Sequence, residues 1–512
     1  MSRDHNFGNL VVGSILAMSL HVTSAYAQRL DPTQASIREL LSSQARGELT
    51  CHDIAASVLA RINALDARLR VFITVNPRLM DDAQRLDAER GSGALRPLHC
   101  IPVAVKDNFS TADLQTTGGS VLFANVVPPR DSVVVAKLRA AGALIVGKTN
   151  MDELAVAGST ISSIRGQTLN PYDQTRFAAG SSGGSAVAVA TAMATVAVGT
   201  ETVNSTRNAA SSAGVVGIRT TRGTISRTGV IPLSTTMDVV GAFGRSVTDT
   251  ITLINVLAGR DPLDPWTTGV QPYPSLGSGP LEPAKLEGKR IGVLRNLFGK
   301  GPEHASVNTV IAAALNQLHK AGAEIVEIDD PSFDSAQSST ALNVNNYEFK
   351  PLFERYLAEL GPAAPIHTVQ EYVAAGRYPA TMKEYLANAI AWSAPLERDD
   401  YFEKLGAISR EREKVLQYFK SQNLDALAYP MQKRAPLHLT EPTRPERSGI
   451  FASALGFPAI DVPAGMTQPD ADAPLGLPIG LDLMGPPQSD AALAELALAI
   501  ERAVPRPPAP LR

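Results

Sequence analysis

Two cysteines in 512 residues, Cys51 and Cys100, are too few for a disulfide scaffold and leave room for one bridge at most. Whether the pair meets in space is open at this level. The eight histidines are scattered and none stands in H-E-x-x-H spacing, so the chain carries no recognisable zinc motif. No run of like charge exceeds a few residues and the net charge is −3, which excludes a basic nucleic-acid face and a polybasic membrane patch. The apolar stretch from Leu10 to Leu20 is too short to span a bilayer. What remains is ordinary globular composition: 44% apolar residues, 19% charged residues and 39 glycines, in a chain long enough for one large core or two to three domains.

The N-terminus combines Arg3, that apolar stretch and Ala25-Tyr26-Ala27. This is the pattern of a secretory signal peptide over residues 1–27, with cleavage after Ala27 and a periplasmic or secreted product. Further on, Ser36 to Arg46 has helical periodicity, and Thr50 reads as an N-cap for a helix from Cys51 to Leu65, with Asp53 in the capping-box position. Ile101 to Lys106 is a β-branched apolar run ending in a lysine, the profile of a buried strand. Helix, glycine stop and strand follow one another at 132–147 and again at 307–328, with RIGVL (290–294) as a further strand. Such alternation predicts an α/β architecture on a mainly parallel or mixed sheet. Residues 261–288 are rich in proline and glycine and read as a surface connection. Residues 331–448 are polar and helical in pattern, suited to covering a substrate cleft. The Pro-rich tail, residues 506–512, is expected to be disordered.

The stretch AAGSSGGSAVA (178–188) is the most informative. A flexible Gly-Ser linker should have polar neighbours. Here the chain runs directly into AVAVATAMATVAVG, which can only be buried, so a rigid turn opening a buried helix is predicted. Gly180 to Gly184 formally match G-x-S-x-G with Ser182 as nucleophile, and Asp425 and His438 are the available partners. That motif needs a strand immediately before it, whereas NPYDQTRFAA is polar and contains proline.

Eight segments stand in order: LHCIPVAVKDN (98–108), TTGGS (116–120), VGKTNMDELA (146–155), AGSSGGSAVAVA (179–190), GTETVNSTRNAA (199–210), GVVGIRTTRGTISRTGVIPLS (214–234), GFPAIDVPAG (456–465) and LPIGLDLMG (477–485). On these segments the chain, from about residue 35 to 500, resembles the amidase signature family of serine hydrolases, and within it the peptide-amidase branch. The resemblance implies a single α/β domain over residues 28–505, with a central mixed sheet covered by helices on both faces and a catalytic core at about 70–260. It implies an amidase cleaving a carboxylic amide C–N bond through an acyl-enzyme, with carbamates, anilides or esters as alternative substrates. An inactive periplasmic binding homologue is the reading from another class.

By motif, Lys106 matches the family's base, Ser181 the cis-serine and Ser205 the nucleophile. The backbone N–H groups of Thr202, Val203, Asn204 and Ser205 match the oxyanion hole. No cofactor or metal is implied, and the partner expected is a small amide-type substrate. Neither nucleic acid nor stable membrane association is expected, and the protein should be a monomer or a homodimer. The roles make physical sense: serine needs a base, and lysine is one only when burial lowers its pKa. Two departures from the family stand out. Val203 and Asn204 replace glycines, which would be awkward if positive φ were required there. Cys100 also replaces a glycine. Arg207 is expected to brace the nucleophile loop through Glu201.

Overall fold

The computed structural model describes residues 30–90, 95–268, 281–441 and 446–511, and residues 32–511 belong to one compact unit. The expected signal peptide (1–27) and residues 269–280 of the expected surface connection lie outside the described residues. Among the described residues no helix is long and apolar enough to cross a membrane.

Helix boundaries follow local chemistry. The helix Ile37–Ala45 starts at an N-cap Ser36 whose hydroxyl accepts from the Glu39 N–H, with Glu39 reaching back. Thr50 and Asp53 make the same reciprocal cap for Cys51–Leu69, which runs four residues beyond the predicted end and stops at Arg70 in the left-handed conformation. The two expected glycine stops are present: Gly142 and Gly322 take φ of 82° and 100° after the helices Val133–Ala140 and Ala305–Lys320.

The strands in chain order are β1 (Phe72–Val75), β2 (Pro102–Lys106), β3 (Leu144–Thr149), β4 (Ile161–Ser162), β5 (Gly166–Gln167), β6 (Val196–Glu201), β7 (Val216–Arg219), β8 (Val239–Gly244), β9 (Arg290–Leu294), β10 (Glu324–Ile328), β11 (Ala426–Pro430), β12 (Ala459–Met466) and β13 (Pro478–Met484). All but β4 and β5 form one eleven-stranded sheet, ordered β1-β3-β2-β6-β8-β7-β12-β13-β11-β9-β10. It is mixed, as expected: β2 runs parallel to β3 and β6, and β9 to β10 and β11, while the other pairs are antiparallel. Every residue of β2, β3, β6, β7, β8, β11 and β13 is buried, so these strands read as continuous apolar runs rather than alternating ones.

The parallel pairing of β2 with β6 decides where the site lies. Val103 faces Val196 and Val105 faces Val198, so Lys106 and Thr200–Glu201 emerge at the same carboxyl edge of the sheet. That edge is where open α/β sheets place their ligands. The helix Gly183–Ala190, made only of Gly, Ser, Ala and Val, is buried at all eight positions, where small side chains permit close approach to β2 and β6.

Cys51 and Cys100 do meet, in a disulfide with Cα atoms 5.3 Å apart. It ties the first residue of a helix to the turn just before β2. Cys100 has φ of 58°, the left-handed region that glycine enters without cost. The tail corrects an expectation: residues 506–511 are not free of the fold. Tyr172 donates to the Pro508 carbonyl at 2.9 Å, Arg61 donates to the Leu511 carbonyl, and Arg506 pairs with Glu501. Prolines lack N–H groups but keep carbonyls, and these are what the domain binds.

Candidate active site

Lys106 closes β2 with its ammonium buried, and it donates to three hydroxyls at 2.8 Å: Ser181, Ser182 and Thr200. Burial lowers its pKa from 10.5 to about 7, against the opposing pull of Asp152, Asp238 and Glu201. The structure therefore brings Lys106 and Ser181 together, 75 positions apart in sequence. Ser182, the next residue of the turn, also binds Lys106. Its own proton goes to the Thr200 carbonyl at 3.1 Å, so Ser182 can only accept from the lysine. Ser181 has no such commitment and can return a proton to the neutral amine.

The serine turn is shaped by its surroundings. The Gly180–Ser181 peptide is cis, as the resemblance implied. A Cβ at Gly180 would lie 2.5 Å from Asp152 Oδ2, so glycine is demanded here by packing. Asp152 is itself fixed, accepting from the Ser159 and Ile161 N–H groups while its own N–H donates to the Ser181 carbonyl. Five non-glycine residues around this turn, Leu154, Ala155, Ala157, Thr160 and Ala179, hold positive φ. Concentrated backbone strain of this kind marks sites where geometry is over-determined.

Ser205 lies on the loop between β6 and the helix Arg207–Ala213. Its carbonyl accepts from the Ser182 N–H at 3.2 Å, which places the two serine segments side by side. Its hydroxyl makes no hydrogen bond among the described residues, so the link from Ser181 to Ser205 is not closed in this structure. None of the N–H groups of Thr202, Val203, Asn204 and Ser205 donates to a described residue. Four consecutive free donors beside a serine can hold an oxyanion. Val203 and Asn204 do not take positive φ, so replacing glycine there carries no backbone penalty. Their bulk is accommodated at Gly449, where a Cβ would come within 2.7 Å of Asn204 Cβ.

The loop is braced from beneath. Glu201 Oε2 accepts from the N–H groups of Thr206 (3.0 Å) and Arg207 (3.1 Å), capping the helix N-terminus with a negative charge. Arg207 returns to Glu201 Oε1 through Nε (2.9 Å) and Nη2 (2.8 Å), and donates also to Asp482 and to the Gly449 carbonyl. Burial raises the Glu201 carboxyl, but Arg207 and Arg219 together hold it below the ordinary range. The brace expected through Glu201 is thus present, while Asp482, 275 positions away, was not foreseen. Asp461 faces Asp482 in register across β12 and β13 and neither of its oxygens has a partner among the described residues. Burial first, then Asp482, pushes its carboxyl well above the ordinary range.

A second buried lysine was also missed. Lys148, in VGKTNMDELA, pairs with Asp107 at 3.1 Å and donates to the Phe109 carbonyl at 2.9 Å and Thr116 Oγ1 at 2.7 Å. Every contact it makes organises the loop after β2, so it is structural. Asp425 and His438 touch Lys289 and Thr175 respectively, and Ser182 has neither as a partner.

A cleft of about 620 Å³ opens over Ser205, lined by Thr202 to Ser205 on one side and by Asn343, Tyr385, Lys433 and Arg447 on the other. The second group comes from the 331–448 region. A second cavity of about 520 Å³ reaches Asn108, Thr200 and Asp238. Cys51, His99 and Cys100 lie close enough to share a metal, but both sulfurs are engaged in the disulfide.

A family model described as Amidase matches residues 53–494. The chain is similar to a glutamyl-tRNA(Gln) amidotransferase subunit from Salinispora tropica, with 33% identity over 497 residues, covering 93% of this chain and 98% of that protein. Among solved structures it is similar to native peptide amidase from Stenotrophomonas maltophilia: TM-score 0.82, 33% identity, 93% and 99% of the two chains. The corresponding amidotransferase structure from Thermotoga maritima superposes with a TM-score of 0.72 at 25% identity, over 94% and 98% of the chains. With the sheet, the lysine–serine cluster and these matches in agreement, the chain belongs to the amidase signature family.

Proposed function

We propose that this member hydrolyses linear amides, with Ser205 as nucleophile, Ser181 as proton relay, Lys106 as base and the Thr202–Ser205 amides as oxyanion hole. The observation that carries the reading is a buried lysine, its pKa lowered to about 7, bonded to Ser181 beside four free backbone donors. Neutral Lys106 takes a proton from Ser181, which takes one from Ser205 as its oxygen attacks the amide carbon. The C–N bond then breaks, the relay returns the proton to the leaving nitrogen, and water enters by the same route to release the acid. Oxyanion donors of this kind contribute about 2.7–4 kcal/mol each.

Hydroxylamine added to turnover mixtures tests this. Diversion of product to the hydroxamate, with an acyl mass on Ser205 in quenched enzyme, is expected. Turnover with no acyl-enzyme on Ser205 would overturn the assignment. The amidotransferase relatives supply a second reading, amide transfer within a larger assembly. The N-terminal pattern at residues 1–27 supports a free-standing exported enzyme instead.

A further inference from the structure

Two cavities, not one, adjoin the loop that carries Ser205. The cleft over Ser205 and the cavity beside Asn108 share three lining residues, Ala155, Thr202 and Leu233, and so meet next to the reacting centre. An amide has two halves. Ser205 lies in the first cavity only, where the acyl half must sit to be attacked. The second lies on the lysine side: Lys106 bonds Thr200 Oγ1, Asn108 Nδ2 donates to the same oxygen at 2.9 Å, and both Thr200 and Asn108 line it. The proton for the departing nitrogen comes from that side.

We propose that the second cavity receives the amine half, so that the preferred substrates are N-substituted amides with a bulky amine rather than primary amides that release ammonia. The inference rests on the hydrolytic reading above and deepens it.

Size is the first argument. Ammonia occupies about the volume of one water, roughly 30 Å³, whereas cavities of about 300–1,000 Å³ hold whole organic groups. This one measures about 520 Å³. Its lining is the second. Val230, Ile231, Leu352 and Tyr356 give it an apolar wall suited to an alkyl or aryl group, beside polar atoms of Asn108 and Asp238 and the charged groups of Arg227 and Arg355. The third is an orphan. Asn108 is 1% exposed, and with its Nδ2 committed to Thr200 its Oδ1 has no partner among the described residues. A buried acceptor is costly until a donor arrives, and the N–H of a departing amine is such a donor. Bonds balance without a further reactant. Ser205 Oγ joins the acyl carbon, the C–N bond breaks, the serine proton ends on the nitrogen and water later cleaves the ester.

The test compares N-acetyl-phenylalanine amide with its N-benzyl amide, which share an acyl group and release amines of similar basicity. In the intact protein kcat/KM should favour the N-benzyl amide by about tenfold or more, the range that filling an apolar pocket supplies. Leu352 stands on the helix Asn345–Leu360 and lines this cavity. Leu352→Trp should remove most of that preference, read as the ratio of kcat/KM between the two amides. Benzylamine should inhibit primary-amide turnover in the unmodified enzyme, a measurement that needs no variant. A preference for the primary amide, no inhibition by benzylamine, or equal loss on both substrates in a folded Leu352→Trp protein would each overturn the inference. Turnover of both amides through acyl-Ser205 with no preference would overturn it and leave the hydrolytic reading intact. Turnover of neither would remove both.

Discussion

Replacing Lys106 by methionine should abolish activity and, at neutral pH, make the protein more stable. The lysine is fully buried and burial lowers its pKa from 10.5 to about 7. Between those values the unfolded chain binds a proton that the folded chain does not, so folding stability attributable to Lys106 is lost as pH falls from 10.5 to about 7 and is constant below. A shift of about 3.5 units corresponds to a penalty of about 5 kcal/mol at pH 7. Against this, methionine forfeits hydrogen bonds to the hydroxyls of Ser181, Ser182 and Thr200. At about 1 kcal/mol each these offset roughly 3 kcal/mol. Lys106→Met should therefore be more stable by about 2 kcal/mol at pH 7, lose that advantage at the slope of about 1.4 kcal/mol per pH unit, and cross the parent at pH ~8.5. Other titrating groups are common to both proteins and cancel in the difference. Urea titrations at several pH values between about 6.5 and 9.5 measure it. Stabilities that run parallel across this range would mean that Lys106 titrates normally, and the case for a lysine base would fall.

Three further outcomes follow from the contacts around the site. Ser181→Ala should lower kcat by about 10²–10⁴-fold, the usual range for removing a proton relay, whereas Ser182→Ala should stay within about tenfold because its proton is already given to Thr200; steady-state kinetics of the pair decides. Arg207→Met leaves Asp482 buried without its cation and Glu201 with Arg219 alone, and should cost about 3–5 kcal/mol in urea denaturation. Arg207→Lys should regain part of that stability but little of kcat, since an ammonium cannot replace the guanidinium fork on Glu201. Cys51→Ser opens a bridge across 49 positions and should cost about 2–4 kcal/mol, read as a lower melting temperature that dithiothreitol reproduces in the parent.

What could be read in the sequence was local. Caps at Ser36 and Thr50, glycine stops at Gly142 and Gly322, and the apolar run ending at Lys106 depend on near neighbours and appear where periodicity places them. Lys106 and Ser181, which the structure brings together, stand in motifs that keep a recognisable order. Interactions that close across the fold were not legible. Asp482 and Gly449 reach Arg207 from more than two hundred positions away, and only the tertiary fold, including the strand order β7-β12-β13, brings them under the loop that carries Ser205. Lys148 and Lys106 are both lysines near the carboxyl ends of buried strands, and only their partners, a carboxylate for one and hydroxyls for the other, tell them apart. The concern over Val203 and Asn204 rested on a positive φ that the loop does not use. The room that a second cavity offers an amine is a property of packing, invisible in any segment.

Labelling the protein with a fluorophosphonate and mapping the adduct addresses the serine machinery most directly. The predicted result is a single adduct on Ser205, formed faster as pH rises through about 7 and lost in Lys106→Ala, since the lysine titrates there. An adduct on Ser182, or labelling of Ser205 that is indifferent to Lys106, would contradict it.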